Sequence, residues 1–315
     1  MSLKCDEDFA RLIGEFSEKS VPELLEQAAA GAEKCAKTNG RYHAELRQYY
    51  AGWFGIKKFD KNDPVFASYF GSMYWYIGEN ADSLLDLYNG LCDYRSKYSL
   101  LKMLEHWLTF SPDLRWYGIE HTFPGYFDLD LFPPAPKGEV FVDCGAYDGD
   151  SIKSFIDMYG EGYKRIYAYE IVPNIFKKMR ENLKEYPNII FRDKGVSDKA
   201  GTAGLDIFET SSSIMRDGTF PAPVVSLDED IDEDITFIKM DIEGAEMLAL
   251  MGAREHIERS RPKLAVCLYH TLEHLLEIPA LIKQLNPAYE LYFRHHGDPR
   301  DGGIPFPIEY MIYAK

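Results

Sequence analysis

Residues 139–151 read Glu-Val-Phe-Val-Asp-Cys-Gly-Ala-Tyr-Asp-Gly-Asp-Ser, and this stretch decides the fold. Val140–Asp143 has the apolar run of a buried strand and ends in an acid. Gly145 and Gly149 make a turn, and Ser151–Tyr159 follows with helical spacing. A strand, a glycine turn and a helix open a parallel α/β unit, and ligands of such sheets bind outside the carboxyl ends of the strands. Gly145 allows close backbone approach, and Gly149 allows tight packing of the turn against the following helix. The glycine spacing is GxxxG, whereas a turn that cradles a pyrophosphate carries GxGxxG. Asp143, Asp148 and Asp150 crowd the same turn. Negative charge there repels a pyrophosphate and suits a cationic ligand. A purely structural turn with capping acids is the plainer reading of these residues taken alone.

Working outward, strands are expected at Val140–Asp143, Arg165–Glu170, Ile189–Arg192, Thr236–Asp241, Lys263–Tyr269, Tyr289–Arg294 and Ile308–Tyr313. Helices are expected at Ser151–Tyr159, Pro173–Glu185, Ala245–Glu258 and Thr271–Leu285. Such alternation implies a doubly wound, mostly parallel seven-stranded sheet. The last two strands have no helix between them, only the loop Gly297–Pro307, which suggests a closing antiparallel hairpin. Two short β-like runs, Gly204–Phe208 and Pro223–Ser226, flank a polar loop at Thr210–Ser213.

Before residue 137 the composition differs. All four Trp lie there, and helical periodicity dominates. Ser20-Val21-Pro22-Glu23 has the pattern of a helix start. Val65–Ile77, Ala81–Leu91 and Ser96–Phe110 continue as helices rich in aromatic and leucine residues. Phe123–Gly138 contains Pro124, Pro133, Pro134 and Pro136, which excludes regular helix. The expected organisation is a helical domain over 1–122, a Pro-rich linker over 123–138 and an α/β domain over 139–315.

The chain has 315 residues and a formal charge of −16. Residues 1–136 carry 14 basic and 20 acidic side chains and the remainder 21 and 31, so the excess is no acidic tail. Nucleic-acid binding needs a basic footprint and is not expected. The five cysteines are scattered without a CxxC or zinc spacing, and no signal-peptide core opens the chain. No apolar run reaches the ~20 residues of a membrane span. A cytoplasmic location is expected.

Four features carry chemistry. The first is the acidic turn itself. The second is Glu170, an acid at the end of the second strand, placed to accept hydrogen bonds from ribose hydroxyls. Asp193, ending the third strand, is a candidate for the adenine edge. The third is Thr236-Phe-Ile-Lys239-Met-Asp241-Ile-Glu243-Gly244-Ala-Glu246. Lys239 in an apolar run is costly unless paired. Strand alternation puts Lys239, Asp241 and Glu243 on one face if the strand extends that far. Helix-capping acids at Glu243 and Glu246 are the structural alternative. The fourth is His270, which ends a core strand on the edge that carries Asp241 and is a candidate general base. His295-His296 is not read as a metal pair, because neighbours on a strand point to opposite faces.

Together these features resemble the FkbM family of S-adenosylmethionine-dependent methyltransferases, over roughly residues 137–315. The resemblance rests on Val-Asp143-Cys-Gly145-Ala-Tyr-Asp-Gly149, Tyr-Glu170, Gly195-Val-Ser197-Asp198, Val-Ser226-Leu-Asp228, Phe-Ile-Lys239-Met-Asp241-Ile-Glu243-Gly244-Ala-Glu246 and Leu-Tyr-His270, in that order. It implies a class I, Rossmann-like methyltransferase domain with S-adenosyl-L-methionine as cofactor. Its sulfonium and amino group are the cationic ligand that the acidic turn suits. It also implies O-methylation of a hydroxyl on a sugar or natural-product-like small molecule. Cofactor contacts are expected from Asp143, Gly145, Tyr147, Asp148, Gly149, Ser151, Glu170, Ile171, Asp193 and Asp241. His270, Glu243, Lys239 and Asp241 are the expected catalytic group, with His270 the first choice of base and Glu243 the second. Tyr147 departs from the Gly or Asn common at that position of the turn. A magnesium ion on Asp241 and Glu243 is a further option that no motif supports. The helical part is a candidate lid, substrate platform or arm of a homo-oligomer. The competing readings are a nicotinamide-dependent Rossmann oxidoreductase, against which the GxxxG spacing argues, and a non-catalytic cofactor-binding module.

Overall fold

A computed structural model describes residues 4–111, 120, 122–136, 138–207, 212–215, 220–297 and 309–315. The chain divides into two compact units. The first comprises Met1–His121 and Tyr292–Tyr310, the second Thr122–Leu291 and Met311–Lys315.

The first unit is helical, with α1 (Lys4–Glu18), α2 (Val21–Thr38), α3 (Gly40–Phe54), α4 (Pro64–Glu79), α5 (Ala81–Gly90) and α6 (Tyr94–Thr109). The start of α2 follows the sequence pattern: the Glu23 carboxylate accepts from the Ser20 N–H (2.9 Å) and hydroxyl (2.6 Å). Asp63 caps α4 by accepting from the Val65 and Phe66 amides. Helices α1 and α3 were not anticipated, although Phe9, Leu12, Ile13 and Phe16 bury one stripe of α1 at helical spacing. None of the described helices is long and apolar enough to cross a membrane.

His106 of α6 is fully enclosed, and burial depresses its pKa to about 4. A depressed folded value contributes stability that is present above the unfolded pKa near 6.5 and lost as pH falls toward 4. Acidification across that window is therefore expected to cost the fold about 3 kcal/mol, the free-energy equivalent of this depression. Urea unfolding followed at stepped pH checks it. A His106→Phe chain should lose the part of the acid sensitivity that this imidazole supplies.

The second unit carries β1 (Val140–Cys144), α7 (Asp150–Tyr159), β2 (Arg165–Tyr169), α8 (Pro173–Asn182), β3 (Ile189–Arg192), β4 (Gly195–Val196), β5 (Gly201–Ile207), β6 (Ser212–Met215) and β7 (Phe220–Val225). It continues with α9 (Leu227–Asp230), β8 (Phe237–Met240), α10 (Glu246–Met251), α11 (Arg254–Ser260), β9 (Lys263–Cys267) and α12 (His274–Leu285). The last two strands of the chain are β10 (Leu291–His295) and β11 (Tyr310–Ala314). The seven-stranded sheet has the order β10-β11-β9-β8-β1-β2-β3. Pairs β1–β2, β2–β3, β1–β8 and β8–β9 are parallel, and β11 runs antiparallel to β9. This is the doubly wound sheet with its C-terminal antiparallel hairpin. Every residue of β1 is buried, which is why the strand reads as a continuous apolar run.

Three elements differ from the sequence reading. The helix expected over 245–258 is two helices broken at Gly252, where a Cβ would stand 2.0 Å from the Ser197 carbonyl oxygen. Ser212 and Ser213, expected in a loop, begin β6, and a second sheet of order β4-β7-β5-β6 forms. Thr210 and Ser211, and most of the Gly297–Pro307 loop, lie outside the described residues. The stretch expected as a linker is packed rather than free: Phe127 and Phe132 are fully buried, and both stack edgewise on Phe237. The prolines exclude helix there, but the phenylalanines between them still need a core.

Candidate active site

The order of the sheet leaves β1 flanked by β2 and β8, whose chains depart in opposite directions from it. Their carboxyl ends bound the crevice where ligands of open α/β sheets bind. Backbone bonds lace the three ends together. The Gly145 and Ala146 amides donate to the Tyr169 carbonyl (3.1 and 2.9 Å), and the Asp241 amide donates to the Cys144 carbonyl (3.1 Å).

Gly145 has φ +82°, and a Cβ on it would lie 1.9 Å from the Asp241 carbonyl oxygen. The close approach predicted for Gly145 is thus to a neighbouring strand end. Gly149 has φ +91° and packs on Leu183, at the end of α8, rather than on the helix it starts. Gly145→Ala is expected to cost about 1–3 kcal/mol through backbone conformation alone. The clash with Asp241 should also displace the crevice, so stability and ligand affinity fall together. Paired urea-unfolding and calorimetric measurements check this.

The same side of the turn holds a buried ion pair. Asp143 lies opposite Lys239 in the β1–β8 register, so the two side chains share a face. Lys239 Nζ is 2.9 Å from Asp143 Oδ1, both fully or almost fully enclosed, and donates to the Gly145 carbonyl at 2.7 Å. The Ser151 hydroxyl donates to Asp143 Oδ2 at 2.5 Å. Burial alone would lower the Lys239 pKa, but Asp143 and Asp241 carry it above its ordinary value. Asp143 and Ser151, both expected at the cofactor, are buried and bonded to each other, and Asp143 pairs with Lys239. Asp148 is likewise paired, with Lys178 of α8 at 2.7 Å. Tyr147 is the exposed member of the turn, 42% accessible, and holds a left-handed φ of +45°.

Glu170 sits just past β2 and is buried, with Oε1 accepting from the Val172 amide at 2.7 Å. Burial raises its pKa despite that bond. Ile171 packs with Val172, Ala222 and Ile175. Asp193 is exposed immediately after β3.

The third motif does not continue as a strand. β8 stops at Met240, and residues 241–245 turn, with Glu243 at φ +54° and Gly244 at φ +105°. Lys239 and Asp241 consequently part: Lys239 turns to Asp143, and Asp241 meets a different set. Asp241 Oδ2 accepts from the Tyr126 hydroxyl at 2.6 Å, and Oδ1 accepts from the Tyr269 hydroxyl at 3.1 Å. Lys239 Nζ stands 5.0 Å from the centre of the Tyr126 ring. His270 Nε2 is 3.3 Å from Asp241 Oδ1 and 3.5 Å from Glu243 Oε2, and Nδ1 is 2.8 Å from Glu246 Oε1. Burial would raise the Asp241 pKa, but His270, Lys239 and Tyr126 outweigh it and hold the carboxyl well below the usual range. Burial would lower the His270 pKa, but Glu246 and Asp241 raise it far above its ordinary value. Burial raises the Glu243 pKa.

Glu246 is fully buried and accepts from the Ile242 and Gly244 amides at 2.9 and 3.1 Å. It is the capping acid that the motif allowed, and at the same time the anchor of His270. Tyr126, Tyr269 and His274 were missed by sequence reasoning. Tyr269 precedes His270 and was within reach of inspection. Tyr126 lies 115 residues from its partner in a Pro-rich stretch, and no local pattern marks it.

Sheet order, switch-point crevice and acidic turn define a class I methyltransferase fold. The family model described as methyltransferase FkbM domain matches residues 143–298. Over these residues the chain carries a methyltransferase FkbM domain. It is similar to the crystal structure of methyltransferase FkbM from Methylobacillus flagellatus KT, at 25% identity and TM-score 0.69, over 87% of this chain and 71% of that one. Other similar structures are an rRNA methylase from Streptococcus thermophilus, at 12% identity and TM-score 0.38, over 57% of this chain and 87% of that one. Aeropyrum pernix fibrillarin, solved with bound S-adenosyl-L-methionine, follows at 16% identity and TM-score 0.36, over 59% and 71%. No curated protein matches the chain.

Proposed function

We propose that this chain methylates a hydroxyl of a small molecule of the sugar or natural-product kind, in the cytoplasm. One observation carries the reading: Asp241 and Glu243, just past β8, meet His270, just past β9, at the carboxyl edge of the sheet. The excess of carboxylates fits a cationic cofactor, and the positive-φ glycines Gly145 and Gly149 leave two positions of the turn without a side chain. S-adenosylmethionine, when bound, supplies the electrophilic methyl carbon. In this reading Gly145, Tyr147, Ile171 and Asp193 line its site, Glu170 accepts from ribose hydroxyls, and Asp143, Gly149 and Ser151 hold the turn in shape.

A hydroxyl needs a base within reach of its proton. The His270 side chain is only 6% accessible, with both nitrogens turned to carboxylates, whereas that of Glu243 is 42% accessible. Glu243 therefore takes the proton, ahead of His270, and Asp241, held by two tyrosine hydroxyls, orients the acceptor. The helical residues 1–122 act in this reading as the part that selects the acceptor or joins two copies. That all five cysteines are free thiols accords with the cytoplasmic location.

The test is calorimetry with S-adenosylmethionine and its demethylated product, then incubation with a panel of hydroxylated acceptors and NMR of any product. Cofactor binding followed by an O-methyl resonance supports the reading. Absence of heat with either ligand, or methylation confined to nitrogen or carbon, overturns it.

A further inference from the structure

We propose that Asp241, Glu246 and His270 form a binding site for one borderline divalent transition-metal ion, of the Mn²⁺ or Zn²⁺ class. One carboxylate oxygen from each acid and one imidazole nitrogen lie within 4.8 Å of one another. Donor atoms around an ion with bonds of about 2.0–2.2 Å stand roughly 3–3.6 Å apart, so small side-chain rotations close the set. The separations of 2.8 Å from His270 to Glu246 and 3.3 Å from His270 to Asp241 are already of that size.

A second, independent observation concerns the imidazoles. The His270 side chain is 94% enclosed, yet neither ring nitrogen completes a hydrogen bond with the carboxylates beside it. His274 Nδ1, 3.4 Å from Glu246 Oε2, is in the same condition. Buried polar atoms are almost always satisfied, and those that are not call for an ion or a water. A cation that displaces the proton of the His270 ring would satisfy the imidazole nitrogen and the carboxylate oxygens together.

The surroundings resemble the outer layer of a metal site, where further hydrogen bonds fix each ligand. Asp241 is held by Tyr126 and Tyr269 through their hydroxyls, and Glu246 by the Ile242 and Gly244 amides. Each carboxylate oxygen that accepts one such bond retains a second lone pair. Charge points the same way: among the described residues, the lysine and histidine partners of Asp143, Asp241, Glu243 and Glu246 are Lys239, His270 and His274, and Lys239 is engaged by Asp143. The imidazole decides the class of ion. Mg²⁺ prefers an all-oxygen octahedron, whereas one nitrogen with two carboxylates suits Mn²⁺ or Zn²⁺. This set also replaces the Asp241–Glu243 pair considered for magnesium, since Glu243 is left to the acceptor side. The donors alone define this site, which goes beyond the methylation reading.

The experiment uses the full chain, stripped with EDTA and desalted, then titrated with Mn²⁺ while electron paramagnetic resonance reads free ion. One Mn²⁺ per chain is expected, with a Kd below about 100 μM, weakened at least about tenfold in His270→Ala and Asp241→Asn and displaced by Zn²⁺ before Mg²⁺. No binding by the unaltered chain below about 1 mM, or binding that neither substitution changes, overturns the proposal. Because the unaltered chain is measured directly, a variant that fails to fold does not decide the matter. Calorimetry with S-adenosylmethionine in EDTA separates the two readings. Cofactor binding without a manganese site sinks this proposal and leaves methylation standing. A manganese site without cofactor binding does the reverse.

Discussion

Lys239→Met is expected to remove about 3–5 kcal/mol of stability, because it strips one partner from a fully buried ion pair and leaves the Asp143 carboxylate uncompensated. The cost does not come from the side chain's volume, since Met fills a similar space. It comes from the 2.9 Å contact with Asp143 and the 2.7 Å bond to the Gly145 carbonyl, which together tie β8 to the turn after β1. The consequence for function follows from that tie. With Lys239 gone, the Asp143 charge pulls on Ser151 and the turn, so cofactor affinity should fall with stability. Urea unfolding of Lys239→Met, Asp143→Asn and the double variant measures it. The double variant should lose less than the sum of the singles, because removing both charges leaves none stranded. Additive losses would mean that the pair is not the source.

The second large effect is on rate. Glu243→Gln is expected to lower kcat by about 10²–10⁴, the range a positioned general base contributes, with the fold and cofactor affinity nearly unchanged. Glu243 lies on a turn outside the strand, its side chain partly open to solvent, and its removal breaks no buried pair. His270→Gln gives a different pattern, since the ring touches Asp241, Glu243 and Glu246 together: stability and kcat should drop in parallel. Steady-state kinetics on an acceptor found by the panel, alongside unfolding curves for both variants, distinguish them. If Glu243→Gln keeps more than about a tenth of kcat, the base is elsewhere.

Some of this was legible along the chain because the physics is local. A strand buried on both faces must be apolar throughout, and a turn at positive φ selects glycine, so Val140–Cys144 with Gly145 and Gly149 announce themselves. Capping is local too, which is why the start of α2 was readable from four residues. The burial of Lys239 could be expected from its apolar neighbours, but its partner could not: Asp241 and Glu243 stood closer in sequence, and Asp143 was chosen only by the β1–β8 register.

The end of β8 shows the limit most directly. Period-two alternation predicts Lys239, Asp241 and Glu243 on one face, and it fails because the backbone leaves the strand at Met240 to enter a left-handed turn. Tyr126 had no local signature at all, since a hydroxyl 115 residues away becomes the partner of Asp241 only when Phe127 and Phe132 anchor its segment in the core. By itself the chain determined the kind of sheet, its acidic edge and the family, each written in residues a few positions apart. Only the tertiary structure decided which carboxylates pair with Lys239 and which gather around His270. That division depends on register, turn geometry and burial, and each of these arises when distant segments meet.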